Sequence, residues 1–381
     1  MSVDSPHARY RRRLAALADD SAVLASIARD GGWVRRYARF EPDSEPFATL
    51  VYESTDSPQR VLRVDVSEGP RTNSVRSEPG WLRALPFDLD EHLTTLPAIV
   101  SQPGSWRVVR YLPGRRCTLR LEAAGRPVRY VKVYRDDRGQ RADAAGRWLW
   151  CAAGRGELAF SVPRPDRWEA STRTLFQHEL GGSPAARGLY GAHGAEVARR
   201  IGHAAASLAR SSVRPTRVFD AAAQVARSID IGQELARRVP SLAPLVGSLL
   251  DGLSASHARL GAREPRPIHG DPHAEQWLDD GARLGLLDFE AVAWGDPELD
   301  AAVFLAELDF EDDLQLPVDQ LEDAYITGAE AVGLTLDRHL LLAYRGHMRL
   351  AKALRSARAV RPDGDTRAEA HLMRALECVV R

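Results

Sequence analysis

Apolar positions change their rhythm along this chain. Up to about residue 180 they alternate in short runs broken by Pro and Gly, and beyond that Ala, Leu and Ile recur at helical spacing. Alternation predicts half-buried strands, and a 3.6-residue period predicts helices. Leu14, Leu17 and Leu24 among alanines predict helix over residues 1 to about 30, and residues 33–66 read as strands. Residues 67–104 hold Gly69-Pro70, Pro79-Gly80, Pro86, Pro97 and Pro103-Gly104, so a broken connecting region is expected. Arg107–Leu112, a Pro113-Gly114 turn and Cys117–Leu121 predict a hairpin, and Ala124-Gly125 then turns into the strand Arg129–Tyr134. A helix over 139–153 follows, then a strand from Leu175 ending in Gly181-Gly182. Helices are expected over 193–211, 220–262 and, two or three of them, 318–380, with a hairpin at 268–290.

A weak internal echo precedes the hairpin. Arg39-Phe40-Glu41-Pro42 matches Arg110-Tyr111-Leu112-Pro113, and Leu50-Val51-Tyr52-Glu53 matches Leu119-Arg120-Leu121-Glu122. Arg63 falls thirteen residues after Leu50, as Lys132 does after Leu119. This predicts a degenerate copy of the hairpin, with Arg63 in the place of Lys132.

Composition narrows the classes. At 381 residues, two or three structural units are expected. The formal net charge of zero gives no support to nucleic-acid binding, and the Arg-rich stretch 9–13 reads as the exposed face of a first helix. Cys117, Cys151 and Cys378 lack metal spacing and suit a reducing cytosol. No apolar run approaches a membrane span, and the charged start lacks a signal-type core, so a cytoplasmic protein is expected. The Arg- and Ala-rich, Lys-poor usage suits a high-GC bacterial genome. Of 52 basic residues only Lys132 and Lys352 are lysines. A chain that writes Arg almost everywhere places a compact point charge on the strand at 132, where a wide guanidinium fork would not substitute freely.

The densest chemistry lies at His269-Gly270-Asp271, Gln276 and Asp288-Phe289-Glu290. Gly270 permits a sharp bend, and the apolar run Leu284–Leu287 delivers Asp288 at the end of a buried strand. A hairpin of this kind gathers Asp271, Gln276 and Asp288 around one small volume. Two carboxylates and an amide are hard oxygen ligands suited to magnesium. An Asp, an amide five residues on and a second Asp after an apolar run is the layout of phosphoryl transfer.

These residues resemble the aminoglycoside phosphotransferase and choline kinase-like family. Its signature is H-G-D-x-x-x-x-N, then D-F/W-E/D, then G-D-P-x-x-D. The chain has H-G-D-P-H-A-E-Q, D-F-E and Gly295-Asp296-Pro297-Glu298-Leu299-Asp300, with Gln276 where the family has Asn. The resemblance implies a two-lobed, protein-kinase-like α+β fold. A β-rich, ATP-binding N-lobe would span 105–180 and a helical C-lobe 181–381, preceded by an N-terminal extension, 1–104. It implies transfer of the ATP γ-phosphoryl group to a hydroxyl, with Mg2+. Asp271 is then the catalytic base, His269 holds the catalytic loop, and Glu290 supports it or meets a metal-bound water. Gln276 and Asp288 are the metal ligands, and Lys132 anchors the phosphates. Gly114 and Arg115 lie in the loop over the phosphates, and His178 and Leu180 in the hinge that meets the adenine. Asp296 supports the active-site loop, or serves only to cap the helix that Pro297 opens.

Several positions keep two readings. Arg115 and Arg116 contact phosphate or form a solvated turn. His273 faces the acceptor or braces the loop. Asp143 is the carboxylate available in helix 139–153 to hold the lysine, for that helix has no Glu. Glu307, Asp309, Glu311, Asp312, Asp313, Asp319, Glu322 and Asp323 form walls for a polycationic sugar, or a solvated loop and helix start. A small-molecule acceptor ranks first, Ser or Thr of a precursor peptide second, and a nucleotide-binding pseudokinase scaffold third.

Overall fold

The computed structural model describes residues 6–29, 32–41, 44–260, 263–309 and 313–379, and the side chains from 12 onward. The echo's Pro42, the side chains of 9–11, and Glu311 and Asp312 lie outside the described residues. Two compact units are present. One comprises Met1–Gly139, Trp168–Phe176 and Arg355–Arg367; the other comprises Gln140–Arg167, Gln177–Leu354 and Ala368–Arg381.

The first unit is built on two five-stranded sheets. One contains Trp33–Phe40, Ala48–Ser54, Val61–Ser67, Ser74–Ser77 and Gly80–Pro86; the other contains Ser105–Leu112, Arg116–Glu122, Arg129–Tyr134 and the strands Pro165–Glu169 and Thr174–His178, which belong to this unit by their residues 168–169 and 174–176. Both follow the spatial order first, second, third, fifth, fourth. In each, the first strand bulges against the second, between Arg35 and Tyr37 and between Val108 and Arg110. Counted from the bulge, the cross-strand row Tyr37, Val51, Arg63 corresponds to Arg110, Thr118, Lys132. Register therefore puts Arg63 where Lys132 stands. The echo read from sequence is two residues out on each of the first two strands, in opposite senses. The error cancels because Tyr52 pairs with Leu62 whereas Leu119 pairs with Val131, a connection two residues longer.

Residues 67–104 are more ordered than their prolines suggested. Pro79-Gly80 turns a hairpin between Ser74–Ser77 and Gly80–Pro86. Gly80 has φ +151, and a Cβ there would lie 2.6 Å from the Ser67 carbonyl oxygen. Leu50, Tyr52, Leu62, Val64 and Leu82 cover one face of the first sheet and pack with Leu14, Leu17, Val23 and Leu24 of the helices Pro6–Ala18 and Asp20–Ser26. Val51 and Val61 on the other face enter a core with Tyr111, Cys117, Leu119, Val131 and Val133, joined by Phe87, Leu93, Leu96 and Ile99. Side chains alternate across a strand, so Lys132 points away from the face that Val131 and Val133 bury.

The second unit is mainly helical, with Gly194–Ala209, Ala221–Arg238, Ala243–Leu260, Pro297–Leu308, Val318–Glu330 and most of Arg338–Arg358 among its elements. The helical segment expected over 220–262 forms two helices, divided at Val239-Pro240, because proline cannot continue the hydrogen-bond ladder. Helices 194–209 and 318–330 meet backbone to backbone. A Cβ on Gly202 would press into the Tyr325 carbonyl, and one on Gly328 into that of Arg199. Helix 297–308 is buried nearly all round, with Leu299, Ala301, Ala302, Phe304 and Leu305 each at most 1% exposed. It is a rigid floor for what precedes it.

Candidate active site

Two short pairings position the catalytic loop. Arg266–Ile268 runs antiparallel to Ala293–Gly295, and Trp277–Asp279 antiparallel to Leu284–Leu286. The Leu287 amide extends the second pairing by donating to the Gln276 carbonyl at 3.0 Å. That register brings the side chains of Gln276 and Asp288 together, with Gln276 Nε2 3.4 Å from Asp288 Oδ2. Asp288 adopts φ +67, ψ +69. This left-handed conformation costs free energy for a residue with a Cβ, and such strain gathers at functional sites. Gly270 has φ +82, and a Cβ there would lie 2.6 Å from the Ala291 carbonyl oxygen, so the bend requires glycine.

The loop is held from beneath. Asp300, 3% exposed, accepts from the backbone N–H of His269 and of Gly270, each at 2.7 Å. Burial pushes its carboxyl pKa up to about 7; the two N–H bonds oppose that shift and the Asp271 charge adds to it. His269 is buried, its Nε2 2.8 Å from the Leu287 carbonyl, while its Nδ1 accepts from the Asp271 amide at 3.3 Å. A carbonyl can only accept, so His269 carries its proton on Nε2. Its ring lies edge-on to Phe289, centroids 5.9 Å apart. The Trp277 indole donates to the Pro272 carbonyl at 3.1 Å. Against this frame Asp271 is exposed, and Glu290 is half-buried in the turn Phe289–Ala291.

His273 lies with Nε2 3.0 Å from Gln276 Nε2, a contact that braces the loop. As placed, the amide nitrogen faces both His273 and Asp288. Which end of an amide is nitrogen follows from its partners. With a cation beside Asp288, the turned amide would put Oε1 on the cation side and still accept from His273 Nε2–H. Gln276 and Asp288 therefore fit magnesium. Among the described residues no group of three or more His, Cys, Asp and Glu side chains is placed to hold a metal alone. A magnesium completed by phosphate oxygens and water needs no such group.

Asp296 departs from its assigned role. It occupies the N-cap position of helix 297–308 without a side-chain capping bond, and its Oδ2 accepts from the Tyr344 hydroxyl at 2.6 Å. The carboxylate that holds the loop is Asp300, one helical turn on. Helical side chains tilt towards the N-terminus, which aims Asp300 back at the loop, and this was the missed signal in the sequence. Four acids of the stretch are paired as well. Asp309 takes Arg345 at 2.8 Å and Arg349 at 2.7 Å, and Glu322 also takes Arg345. Asp323 pairs with Arg338 at 2.8 Å and Glu307 with Lys352 at 2.9 Å. Burial disfavours the Asp309 charge, yet the two arginines keep its pKa below the usual carboxylate value. These four acids are engaged by arginine or lysine and make no open wall for a polycation, whereas Asp313 and Asp319 are exposed, as a solvated loop and helix start would have them.

The remaining positions divide between the units. Leu180 packs on the strand leading to Asp288, for a Cβ on Gly285 would lie 2.6 Å from Leu180 Cδ2. The half-buried His178 donates its backbone N–H to the Arg164 carbonyl at 3.0 Å. Asp143 takes Arg147 at 2.8 Å on its own helix, Arg138–Gly154. Lys132 and the turn 112–115 belong to the first unit. Lys132 is half-buried, and Gly114 has φ +66. Arg115 is exposed, yet desolvation by the groups around it, then the like charges of Arg138, Arg39 and Arg116, hold its pKa below the ordinary value, a setting that favours an anion.

A carboxylate exposed on a rigid loop that also sets an amide against a second carboxylate, a pair suited to magnesium, points to the class: a phosphotransferase on a protein-kinase-like α+β fold. The sequence profile of the phosphotransferase enzyme family (APH) matches residues 118–335, more than half of the chain. The chain belongs to that family and is a kinase with a hydroxyl acceptor. Solved structures share the fold. Choline kinase LicA from Streptococcus pneumoniae is 12% identical, covering 74% of this chain and 96% of its own, with a TM-score of 0.54. An aminoglycoside-3'-phosphotransferase of type VIII is 24% identical, with 67% and 97% covered and a TM-score of 0.51. A spectinomycin phosphotransferase in complex with ADP and spectinomycin is 10% identical, with 72% and 92% covered and a TM-score of 0.50. No curated protein matches the sequence significantly. Among the described residues no helix is long and apolar enough to cross a membrane.

Proposed function

We propose that the protein transfers the γ-phosphoryl group of ATP to a hydroxyl of a small molecule, with magnesium. The observation that carries this reading is the placement of Asp271, exposed, on a loop that also sets Gln276 against Asp288. Nucleotide as donor is supported by related structures solved with AMP and with ADP. A small-molecule acceptor is supported by the family and by the choline and aminoglycoside kinases that share the fold.

Asp271 accepts the proton of the acceptor hydroxyl as the oxygen–phosphorus bond forms, and the ADP oxygen leaves with the electrons of the broken bond. Its carboxylate must lie within hydrogen-bond reach of that hydroxyl, and an exposed side chain on a fixed backbone allows it. Asp300 and His269 act through the backbone by fixing the loop's position. Gln276 and Asp288 hold magnesium, which when bound neutralises charge on the phosphates. Lys132 adds a point charge to the phosphates, and the backbone from His178 to Leu180 meets the adenine.

Asp271→Asn tests the assignment. The variant is expected to bind ATP and melt like wild type, yet lose most transfer, with the remaining rate coming from positioning and electrostatics. A panel of hydroxyl compounds and Ser/Thr peptides, with phosphorylated product read by mass spectrometry, supplies the acceptor. Equal product from both proteins removes Asp271 as the base. ATP binding by wild type without product on any acceptor favours the scaffold.

A further inference from the structure

The turn between the strands Ser105–Leu112 and Arg116–Glu122 has an unusual support. Asp90, between the short helices Phe87–Leu89 and Leu96–Val100, is 3% exposed. Its Oδ2 accepts from the Gly114 amide and from the Tyr111 hydroxyl, each at 2.7 Å. Its Oδ1 accepts from the His92 amide at 2.9 Å. The Arg63 guanidinium lies 3.6 Å from Oδ2 and is itself fixed to Asp65 at 2.8 Å. Burying a carboxylate costs several kcal/mol unless its lone pairs are matched, and here three donors and a cation match them. One of those donors, Gly114, belongs to the turn itself, and Tyr111 to the strand that enters it.

The bonding decides how the turn can meet an anion. The Gly114 amide points inward to Asp90, and the Arg115 amide is taken by the Leu112 carbonyl at 3.0 Å. Neither amide is available to cradle a phosphate. What the turn presents outward is the side chain of Arg115, exposed and crowded by other arginines. A side chain grips an anion only as well as its backbone is fixed, and the fixing comes from residues 63 and 90, both in the N-terminal extension.

We propose that Asp90 is a positioning residue for nucleotide binding: it locks the turn 112–115 with its amides inward, so that Arg115, rather than the backbone, holds the phosphates. This rests on the kinase reading above. The test uses the full-length chain, with ADP titrated by calorimetry and amide deuterium exchange read at Gly114. Asp90→Asn is expected to speed exchange at Gly114 and to weaken ADP affinity roughly tenfold, as loss of charge-assisted bonds implies. The KM for ATP is expected to rise by a similar factor, with kcat at saturating ATP within about twofold of wild type, because a positioning residue for binding leaves the chemical step alone. Leu50→Ala, which lowers stability from the sheet's opposite face, is expected to leave ADP affinity unchanged. Should Asp90→Asn not fold, Tyr111→Phe removes one donor and keeps the carboxylate with its other partners, so a smaller loss of affinity, about threefold, is expected from one of several charge-assisted bonds. Wild type that binds no ADP would remove the kinase reading and this inference with it. Wild type that binds, beside Asp90→Asn or Tyr111→Phe with unchanged affinity or with a loss confined to kcat, overturns this inference alone.

Discussion

Replacing Asp300 with Asn removes a buried charge and one of two oxygen acceptors while keeping the shape of the side chain. The two losses act in opposite directions. The native carboxyl pKa of about 7 lies well above the ordinary 3.8, so the folded protein holds that proton more tightly than the unfolded chain. Stability from this site is therefore greatest below pH 4 and falls as pH rises towards 7. The full gap corresponds to about 4 kcal/mol, the cost of keeping the carboxylate ionised beneath the loop. Asn relieves that cost above pH 7. Against it, the amide NH2 faces one of the two N–H groups now bonded to Asp300, and an unsatisfied buried donor costs about 1–3 kcal/mol. At pH 8 the variant is expected to be as stable as wild type or more so by urea unfolding, and the difference is expected to shift towards wild type by pH 5. Turnover behaves otherwise. The His269–Gly270 backbone loses one of its two anchors, and a displacement of about 1 Å in such a loop costs roughly a hundredfold in rate. The same argument gives wild type an acid limb near pH 7 that the Asp300→Asn variant lacks. Activity and stability falling together at pH 8, or wild-type turnover in the variant, would refute the reasoning.

Other outcomes follow from the same geometry. Lys132→Ala is expected to stay folded, by circular dichroism, but to weaken ATP binding at least tenfold, since a charged partner contributes about 1.5–3 kcal/mol. Asp288→Ala is expected to abolish magnesium-dependent nucleotide binding, whereas Gln276→Asn retains it, because an ionised carboxylate holds a divalent cation better than an amide does; paired titrations with and without magnesium separate them. Gly202→Ala is expected to cost about 3 kcal/mol or more in urea unfolding, since overpacking typically costs 1–3 and here the obstacle is the Tyr325 backbone, which cannot rotate aside.

Local pattern carried much of this fold. The strands 105–112, 116–122 and 129–134 were legible because alternation and turn residues agreed, and Lys132 because lysine is rare in the chain. The loop that sets Gln276 against Asp288 was legible from spacing, since a short hairpin leaves few ways to pair. What escaped depended on contacts distant in sequence. The hairpin at 74–86 was hidden by Pro79-Gly80, which reads equally as a break or as a turn. Asp296 and Asp300 are both acids in one motif, and only the direction of the helix tells which one reaches the loop. Asp90 carried no local signal, for its partners Arg63, Tyr111 and Gly114 lie up to 27 residues before it and 24 after it. The acidic run looked open because Arg345 and Arg349 come from a helix that the sequence places far downstream.

The stacked sheets also set a lower bound on the working length of the protein. The family profile begins at residue 118, inside a strand whose Leu119 is buried among Val51, Phe87, Leu93 and Leu96 from the preceding hundred residues. A chain trimmed to the matched boundary would lose the Ser105–Leu112 strand from the sheet that carries Lys132 and bare an apolar face made of Leu119, Val131 and Val133. Such a face on an open sheet edge invites self-association. The segment that identifies the family is thus not a part that can be lifted out. The sheet that carries Lys132 has its other wall built from the N-terminal hundred residues, so the two are expected to be expressed and exchanged between proteins as one piece.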